Sequence, residues 1–521
     1  MTTRKTLMAV AAGLALMGAG ACNNSKLTDL NQNPNSPTDV PATTLFMQAA
    51  HTSAAAWVGN GYDLRGTEWV TQHLAEVQYP DEDDYKRLQG GSTAGWFDGA
   101  YNGQLEDLQK VIDKGKADNA PGTFAPAMIL QTWNFSFLTD TWGDVPYSQA
   151  LQGDKSGGTL TPAYDPQKDI YTGMFATLDA ASKALASASN TLGASDPIYG
   201  GDPAMWQKFA NSLRARLALR VVNVDPALAS TQLQAALTAP GGVFTSNADA
   251  AMLAWPGDGV YNNPWSDNFS GRDDHRMSQT LMNILLANND PRIPIYAQPT
   301  VNDTTVNPAW PNYAGMPNGL TQATASVYFN DTSRPGTIFY PGATTYGTFG
   351  DGSGKSTPSY LMTYADMAFI QAEAAERSMG GLTPAQAAGF YDAGIMASME
   401  QWGVSNADAL AYVAQPAIAY QGGVAGLTQI ALQRWIALYG DGGQAWAEWR
   451  RTCVPNTVKP GPYAIINTVP RRFEYSTNDA TVNADQIAAA IARQGPDQFQ
   501  TTMWWDKVTA APTYTAGCGQ R

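Results

Sequence analysis

Apolar residues recur at the spacing of an α-helix in several long stretches of this 521-residue chain, and no other feature limits its fold as strongly. In WQKFANSLRARLALR, residues 206–220, the side chains at i, i+3, i+4, i+7 and i+11 are Trp206, Phe209, Ala210, Leu213 and Leu217. This spacing places them on one stripe of a helix. The residues that lie mostly off the stripe are Arg214, Arg216 and Arg220.

A second stretch predicts two helices joined by a short turn. In LMTYADMAFIQAEAAER, residues 361–377, one stripe holds Leu361, Tyr364, Ala365, Ala368, Phe369 and Ala372. Thr383-Pro384 then offers a cap and the residue best suited to the first helical position. One face of the next helix carries Ala387, Phe390, Tyr391 and Ile395. Gly403 and the Ser405-x-x-Asp408 signature end this helix and begin another.

The same periodicity predicts further helices near 43–58, 94–116, 122–139, 167–188, 424–439 and 484–494. Two stretches do not fit a helix, because residues about 240–275 and 297–358 are dense in Gly, Pro, Asn, Asp and aromatic residues. Loops of that length are usually functional or disordered, and their aromatic content argues against disorder. We therefore expect a mainly α-helical scaffold that carries large, ordered, irregular loops.

The N-terminus has the form of an export signal. Arg4 and Lys5 precede an uncharged apolar run from Leu7 to Ala21, which is too short to span a bilayer. The stretch AGAC, residues 19–22, resembles a bacterial lipobox in which Cys22 is lipidated, although alanine stands where leucine is usual. The alternative is an ordinary signal cleaved near Ala21. We predict a lipoprotein signal peptide at 1–21 and a polar, Pro/Asn-rich lipidated tether at 22–42.

The charge balance excludes one class of partner. Acidic residues outnumber basic ones by 45 to 31, a formal net charge of −14, and loss of Arg4 and Lys5 with the signal would increase the excess. Phosphate backbones are bound by Lys and Arg side chains that displace counterions, so nucleic acid is not an expected partner. Apolar residues make up 44% of the chain, which is enough for the core of a large exported domain.

Two cysteines remain after Cys22, and paired cysteines in exported proteins tend to oxidise together. We predict a disulfide between Cys453 and Cys518 that ties the C-terminal tail to the body. The chain has no CxxC and only three histidines, so we predict no transition-metal site and no cofactor. The acidic groups DEDD (81–84) and GRDDHR (271–276) suggest calcium, but they lack EF-hand spacing, and a solvated charged surface is the expected state.

The stretch TDTWGDVPYSQAL, residues 139–151, places Asp140 and Asp144 four positions apart. Gly143 suits a left-handed residue just past a helix end, and Pro146 prevents the helix from continuing. Paired catalytic acids would have to flank a cleft about 5–10 Å apart, and no second acid motif points to one. The stretch therefore predicts a structural corner whose carboxylates accept hydrogen bonds.

Several blocks resemble the SusD/RagB family of outer-membrane lipoproteins, in the SusD-like branch, and they occur in the family's order over most of the chain. The blocks are LTDLNQNPNSPTDVP, LTDTWGDVPYSQAL followed by TPAYDPQKDIY, DPAMWQKFANSLRARLALR, NDPRIP (289–294), YADMAFIQAEAAER, QRWIALYGDGGQAWAEWRRT and VPRRFEYSTND. The resemblance implies a tetratricopeptide-like scaffold of helix hairpins, with residues 43–521 as a single SusD-like domain.

The resemblance also implies a function. SusD-like proteins are anchored by a lipid in the outer membrane, usually at the cell surface, and hold nutrients, often glycans, at the mouth of a SusC-like TonB-dependent barrel. They are binding proteins and not enzymes. We therefore expect a lipoprotein that delivers a glycan, or alternatively a peptide, to such a barrel. Two features depart from the family: CNNSKLTDL lacks an acidic cluster after the cysteine, and the disulfide is not part of the family pattern.

Ligand contacts are expected in the loops, because the family's blocks are scaffold. A sugar-binding surface needs flat aromatic faces and a few polar groups. Loop residues of these types are Trp96, Trp255, Tyr261, Asn263, Trp265, Asp267, Arg272, Trp310, Tyr313, Tyr340 and Tyr346. The alternative for each aromatic residue is that it packs a long loop onto the scaffold.

Two other functions stay open on the sequence alone. A surface glycoside hydrolase would need two acids that are each required for turnover. A purely structural or adhesive lipoprotein would bind no soluble oligosaccharide or peptide.

Overall fold

A computed structural model describes residues 39–303, 307–340, 353–507 and 518–521. The predicted signal peptide, Cys22, the tether as far as residue 38 and Tyr346 lie outside these ranges. Residues Ala42–Arg521 form one compact unit. Within the described ranges, no helix is both long enough and apolar enough to cross a bilayer.

The unit is mainly α-helical, as the periodicity predicts. In the part of the chain that the structure describes, the α-helices of six or more residues are α1 (Ala42–Trp57), α2 (Gly90–Ala100), α3 (Glu106–Ala117), α4 (Pro121–Trp142), α5 (Gln167–Leu185), α6 (Pro203–Arg220), α7 (Pro226–Leu237), α8 (Pro264–Phe269), α9 (Gln279–Ala287), α10 (Tyr364–Glu376), α11 (Ala387–Gln401), α12 (Asn406–Val413), α13 (Gly423–Ala437), α14 (Gly442–Thr452) and α15 (Ala484–Gln494). A π-helix covers Asn60–Thr67. Shorter α-helical turns cover Glu68–Val70, Ile293–Tyr296, Gln322–Ala325 and Asp479–Val482.

Helices that follow one another in the chain pack as hairpins. Helix α3 packs on α4, α4 on α5, α5 on α6 and α6 on α7, and the predicted pair α10 and α11 is also in contact. Gly394 of α11 lets the two helices of this pair approach closely, since a Cβ at that position would lie 2.7 Å from the ring of Phe369. Helix α6 also contacts α10, which joins the two groups of hairpins. This is the helix-hairpin scaffold expected from the sequence.

Capping side chains begin many of the helices, and the predicted cap Ser405 is one of them. Side chains that accept a first-turn backbone N–H include Asp202, Asp225, Thr363, Ser405 and Asp441. Thr383 and Gln386 form a capping box just before α11. The single helix predicted near 94–116 is wrong in detail, because a π-helical turn at Tyr101–Leu105 separates α2 from α3, and Gly103 there leaves the helical region.

Three two-stranded antiparallel ribbons lie among the helices. Strand β1 (Leu74–Glu76) pairs with β5 (His275–Met277), β2 (Val145–Pro146) with β3 (Tyr164–Asp165), and β4 (Ala251–Leu253) with β6 (Ser359–Met362). The stretches expected to be irregular contain β4, α8 and short turns. Loop residues 313–335 are fastened to β5, because the Met277 N–H donates to the Ser333 carbonyl at 2.8 Å. The β1–β5 ribbon therefore organises the loops around it.

A chain of buried ion pairs joins α6, α10, α13 and α14. Its members, each at most 3% exposed, are Arg216, Asp366, Arg434, Glu448, Arg451 and Glu373. Asp366 lies 2.7 Å from both Arg216 and Arg434. Two residues off the apolar stripe of α6, Arg216 and Arg220, are thus buried and not solvated, since other helices cover that face as well.

Candidate functional site

The corner at residues 139–151 belongs to the scaffold. Asp140 and Asp144 are 4% and 5% exposed. Gly143 ends α4 with a positive φ of +85°, but its ψ of −117° places it outside the left-handed helical region that we predicted. Asp140 accepts hydrogen bonds from the Tyr171 hydroxyl at 2.5 Å and the Trp505 indole at 2.8 Å. Asp144 accepts from the Gln167 N–H and from Arg493 Nε, both at 2.9 Å. Their hydrogen bonds hold the fold together.

The acidic groups at 81–84 and 271–276 are not the solvated surface that we predicted. Glu82, Asp83, Asp84 and Asp274 are each at most 3% exposed. Arginines and backbone N–H groups meet most of this buried charge: Glu82 accepts from Arg65 and Arg87, and Asp83 accepts from the Gly319 N–H at 2.9 Å. The two segments lie close together at the β1–β5 ribbon, so each covers the other.

An aromatic and arginine-rich surface borders this ribbon. Tyr79 follows β1 and is 53% exposed, with the Arg272 guanidinium 4.6 Å from its ring centroid. Phe329 is half-buried on the neighbouring loop, with the Arg276 guanidinium 4.5 Å from its ring centroid. We call Tyr79, Arg272 and the half-buried pair Tyr328 and Phe329 the ribbon surface, and the fully buried Arg276 lies beneath it. The ribbon surface offers aromatic rings beside a fixed cation.

Hydrogen bonds fix Arg272 of the ribbon surface and Arg276 beneath it. Arg272 Nε donates to Asp274 at 2.7 Å, and Arg276 Nη2 donates to the Phe329 carbonyl at 2.9 Å. Asp273, between them in sequence, accepts from the Tyr340 hydroxyl at 2.8 Å. Because these contacts are already made, little side-chain freedom would be lost when a ligand binds.

Most of the aromatic residues predicted to contact ligand lie in the core. Trp255, Trp265, Tyr313 and Tyr340 are at most 9% exposed. Trp265 packs on Phe339 with ring centroids 4.6 Å apart, and the alternative of loop packing therefore describes these rings. Asn263 is 1% exposed and caps α8, where it accepts from the N–H groups of residues 265 and 266.

The remaining candidates are partly open but lie in different places. Tyr261 is 47% exposed and contacts the ring of His51, and Asp267 is exposed and accepts from the Asn262 amide. Trp310 is half-buried and lines a cleft of about 540 Å³ formed with residues 289–295 and 403–415. Trp96 is half-buried against Tyr62. Of the predicted residues that the structure describes, Arg272 belongs to the ribbon surface, and the buried Tyr340 supports it from below through Asp273.

Sequence reasoning missed the other members of the ribbon surface. Tyr79 lies in QYPDEDD, where the charges drew attention and the aromatic residue did not. It also missed the grouping of Glu76, Asp274 and His275, whose ligating atoms all lie within 4.8 Å of one another. Burial raises the pKa of Glu76 well above its usual range, and the charge of Asp274 adds to the effect. Burial opposes ionisation of Asp274 too, but His275 and Arg272 outweigh it and lower that pKa.

The scaffold and the ribbon surface together define a class, a helix-hairpin protein with an exposed face built from loops. The chain belongs to the SusD-like family, whose model, described as "Starch-binding associating with outer membrane", matches residues 34–476. The family and fold predictions are thereby confirmed. No curated protein matches the sequence closely enough to serve as a relative.

Solved structures share this fold. A chitin-binding SusD homologue from Flavobacterium johnsoniae is 27% identical, with a TM-score of 0.73 over 91% of this chain and 99% of that one. Another chitin-binding protein is 26% identical, with a TM-score of 0.73 over 89% of this chain and all of that one. A SusD homologue from Bacteroides vulgatus is 24% identical and has a TM-score of 0.74 over 90% of this chain and 98% of that one, a likeness of fold alone.

Proposed function

We propose that this protein is a lipid-anchored outer-membrane protein that binds glycans at the ribbon surface and passes them to a SusC-like TonB-dependent barrel. The observation that carries the proposal is the half-exposed Tyr79 ring backed by Arg272. Aromatic faces stack on the C–H faces of sugar rings, and arginine N–H groups donate to hydroxyl oxygens. Membership of a family described as starch-binding supports a carbohydrate ligand.

The first ligands to test are oligosaccharides of N-acetylglucosamine, because two of the similar solved structures are of chitin-binding proteins. Malto-oligosaccharides and short peptides belong in the same calorimetric panel. We expect a glycan to bind, and Tyr79→Ala to weaken its binding about 5- to 10-fold through loss of stacking.

Tyr261→Ala is the matched control, since Tyr261 is similarly exposed but contacts the ring of His51 and is not a member of the ribbon surface. We expect it to bind like the wild type. A loss of affinity in Tyr261→Ala with none in Tyr79→Ala would contradict the site. Binding of peptides alone would contradict the ligand class, and binding of no ligand would favour a structural or adhesive role.

The anchor and the partner are tested on native membranes. Cys22→Ser is expected to move the protein from the membrane fraction to the soluble fraction, because the thiol that would carry the lipid is gone. Affinity purification of the wild type from detergent-solubilised outer membranes is expected to recover a TonB-dependent barrel. Recovery of the tagged protein without any barrel would count against delivery to a transporter.

A binding role also predicts that the protein leaves glycans intact. Incubation with a broad panel of polysaccharides is expected to release no product. Turnover that is abolished by removal of either of two acids would instead establish a glycoside hydrolase.

A further inference from the structure

A compact group of potential metal ligands lies beneath the ribbon surface. The register of β1 and β5 sets Glu76 directly opposite His275, so their side chains lie on the same face of the ribbon. His275 Nδ1 is 2.9 Å from Asp274 Oδ1 and 4.0 Å from Glu76 Oε2. The three residues are at most 1% exposed.

One oxygen of this group lacks a hydrogen-bond donor. Glu76 Oε1 accepts from the N–H groups of Gln78 at 2.9 Å and Tyr79 at 3.1 Å. Glu76 Oε2 is buried and has no hydrogen-bond partner, and the nearest cation, Arg272 Nη2, lies 3.9 Å away. A buried carboxyl oxygen without a partner is costly, so this atom points to a ligand at the centre of the group.

We propose that Glu76, Asp274 and His275 form a binding site for a divalent cation of the zinc type. The inference goes beyond the proposed function and does not depend on it. One imidazole nitrogen and two carboxylate oxygens are a ligand set that suits Zn²⁺. Calcium prefers six to eight oxygen ligands, and this group offers a nitrogen in place of one of them.

Arg272 is the competitor for this site. Its Nε donates to Asp274 at 2.7 Å, so the guanidinium now supplies the positive charge that a metal ion would supply. A dication bound to the same carboxylate would repel the guanidinium. Arg272 is 22% exposed at the surface and has room to turn outward. Metal binding would therefore move the cation that lies on the Tyr79 ring.

The test is a calorimetric titration of the chelator-stripped, detergent-solubilised full chain with ZnCl₂, followed by a titration with CaCl₂. We expect the wild type to bind about one equivalent of zinc and little calcium. Glu76→Gln and His275→Gln are each expected to lower the zinc affinity at least about 100-fold. Zinc should raise the melting temperature of the wild type and not that of Glu76→Gln.

Two further variants keep the test decisive. Glu68→Gln is the matched control, because Glu68 forms a second buried pair with a histidine, His73, at 2.9 Å. Among the described residues this pair has no third potential ligand. We therefore expect Glu68→Gln to leave zinc binding unchanged. Arg272→Gln removes the competing guanidinium and keeps all three proposed metal ligands, so it should bind zinc about tenfold more tightly than the wild type. This measurement stays informative even if Glu76→Gln fails to fold. No zinc binding by the wild type, equal binding by Glu76→Gln, or weaker binding by Arg272→Gln would overturn the proposal.

Discussion

Burial sets the protonation of single residues in this protein, and Glu68 and His73 illustrate it. Both are fully buried, with Glu68 Oε2 2.9 Å from His73 Nδ1, while the Gly440 N–H donates to Glu68 Oε1 at 2.9 Å. Burial raises the pKa of Glu68 to about 8 and lowers the pKa of His73 to about 3. Near pH 6 both are therefore neutral, and the Glu68 O–H donates to His73 Nδ1.

Glu68 makes the folded state less stable as the pH rises, whereas His73, whose pKa is lowered from 6.5, has the opposite effect below about pH 6.5. The pKa of Glu68 is raised from 4.5 to about 8, so its contribution to stability is complete below about pH 4.5 and is lost as the pH rises to about 8. Glu68→Gln keeps both hydrogen bonds without a titrating proton. We expect the free energy of unfolding to fall less steeply with pH in this variant than in the wild type. The two slopes should differ by up to about 1.4 kcal/mol per pH unit. Urea unfolding from pH 5 to 8.5 measures this slope.

The slope of each variant has to be compared with that of the wild type, because Glu68 is not the sole contributor to it. Burial also raises the pKa of Asp441 to about 7, and this group adds a slope of the same sign. Glu106→Gln serves as the control, since Glu106 is a surface residue paired with Lys110 at 3.2 Å. Its slope should equal that of the wild type. Equal slopes in Glu68→Gln and the wild type would contradict a raised pKa for Glu68.

Between elements, the buried ion-pair chain fixes how the helices pack. Asp366 on α10 binds Arg216 of α6 and Arg434 of α13, so one carboxylate joins three helices. The two arginines outweigh the effect of burial and lower the pKa of Asp366 to about 2. Such an arrangement is costly to break from one side, because the remaining charges stay buried without a partner.

We therefore expect Asp366→Asn to lower the free energy of unfolding by about 3–5 kcal/mol. Lys110→Ala, which breaks the surface pair with Glu106, should cost only about 0.5 kcal/mol. Urea unfolding at pH 7 compares the two variants directly. A loss below about 1 kcal/mol for Asp366→Asn would show that the pairs inside the scaffold are worth no more than those on its surface.

The same elements mark how far the sequence could predict the structure. Periodicity and caps identified the α10–α11 hairpin, because these signals are local. The burial of Arg216 was not predictable in this way, since its partners, Asp366 of α10 and the Leu361 carbonyl of β6, lie about 150 residues away. Trp265 and Tyr340 resemble ligand contacts in sequence, but distant segments cover them. Tyr79 was missed for the reverse reason, because its exposure depends on loops that leave it open.

At the scale of the whole molecule, the C-terminal segment closes the fold onto the corner at residues 139–151. The Trp142 indole donates to the Glu474 carbonyl at 2.9 Å, and the Tyr475 hydroxyl donates to the Asp144 carbonyl at 2.7 Å. The corner that stops α4 is therefore also the place where the segment around residues 474–475 docks. Contacts between residues more than 300 positions apart form only after long loops have closed, which has an entropic cost.

A disulfide offsets part of that cost near the C-terminus. Cys453, just after α14, is bonded to Cys518, 65 residues further along the chain. The tail also contacts the body, since the Val469 N–H donates to the Gly519 carbonyl at 2.8 Å. In the chain-entropy model a loop of this length contributes about 4 kcal/mol, because it restricts the unfolded chain.

The double variant Cys453→Ala/Cys518→Ala is thus expected to unfold with a free energy up to about 4 kcal/mol lower than that of the oxidised wild type. Dithiothreitol should lower the stability of the wild type to a similar level and leave the double variant unchanged, which separates loss of the bond from damage caused by the substitutions. Urea unfolding with and without reductant measures both effects. Equal stability of the reduced and oxidised wild type would contradict this prediction. In that case the noncovalent contacts of the tail would hold it in place without the disulfide, and the fold would be closed by the segment that docks at the corner at residues 139–151.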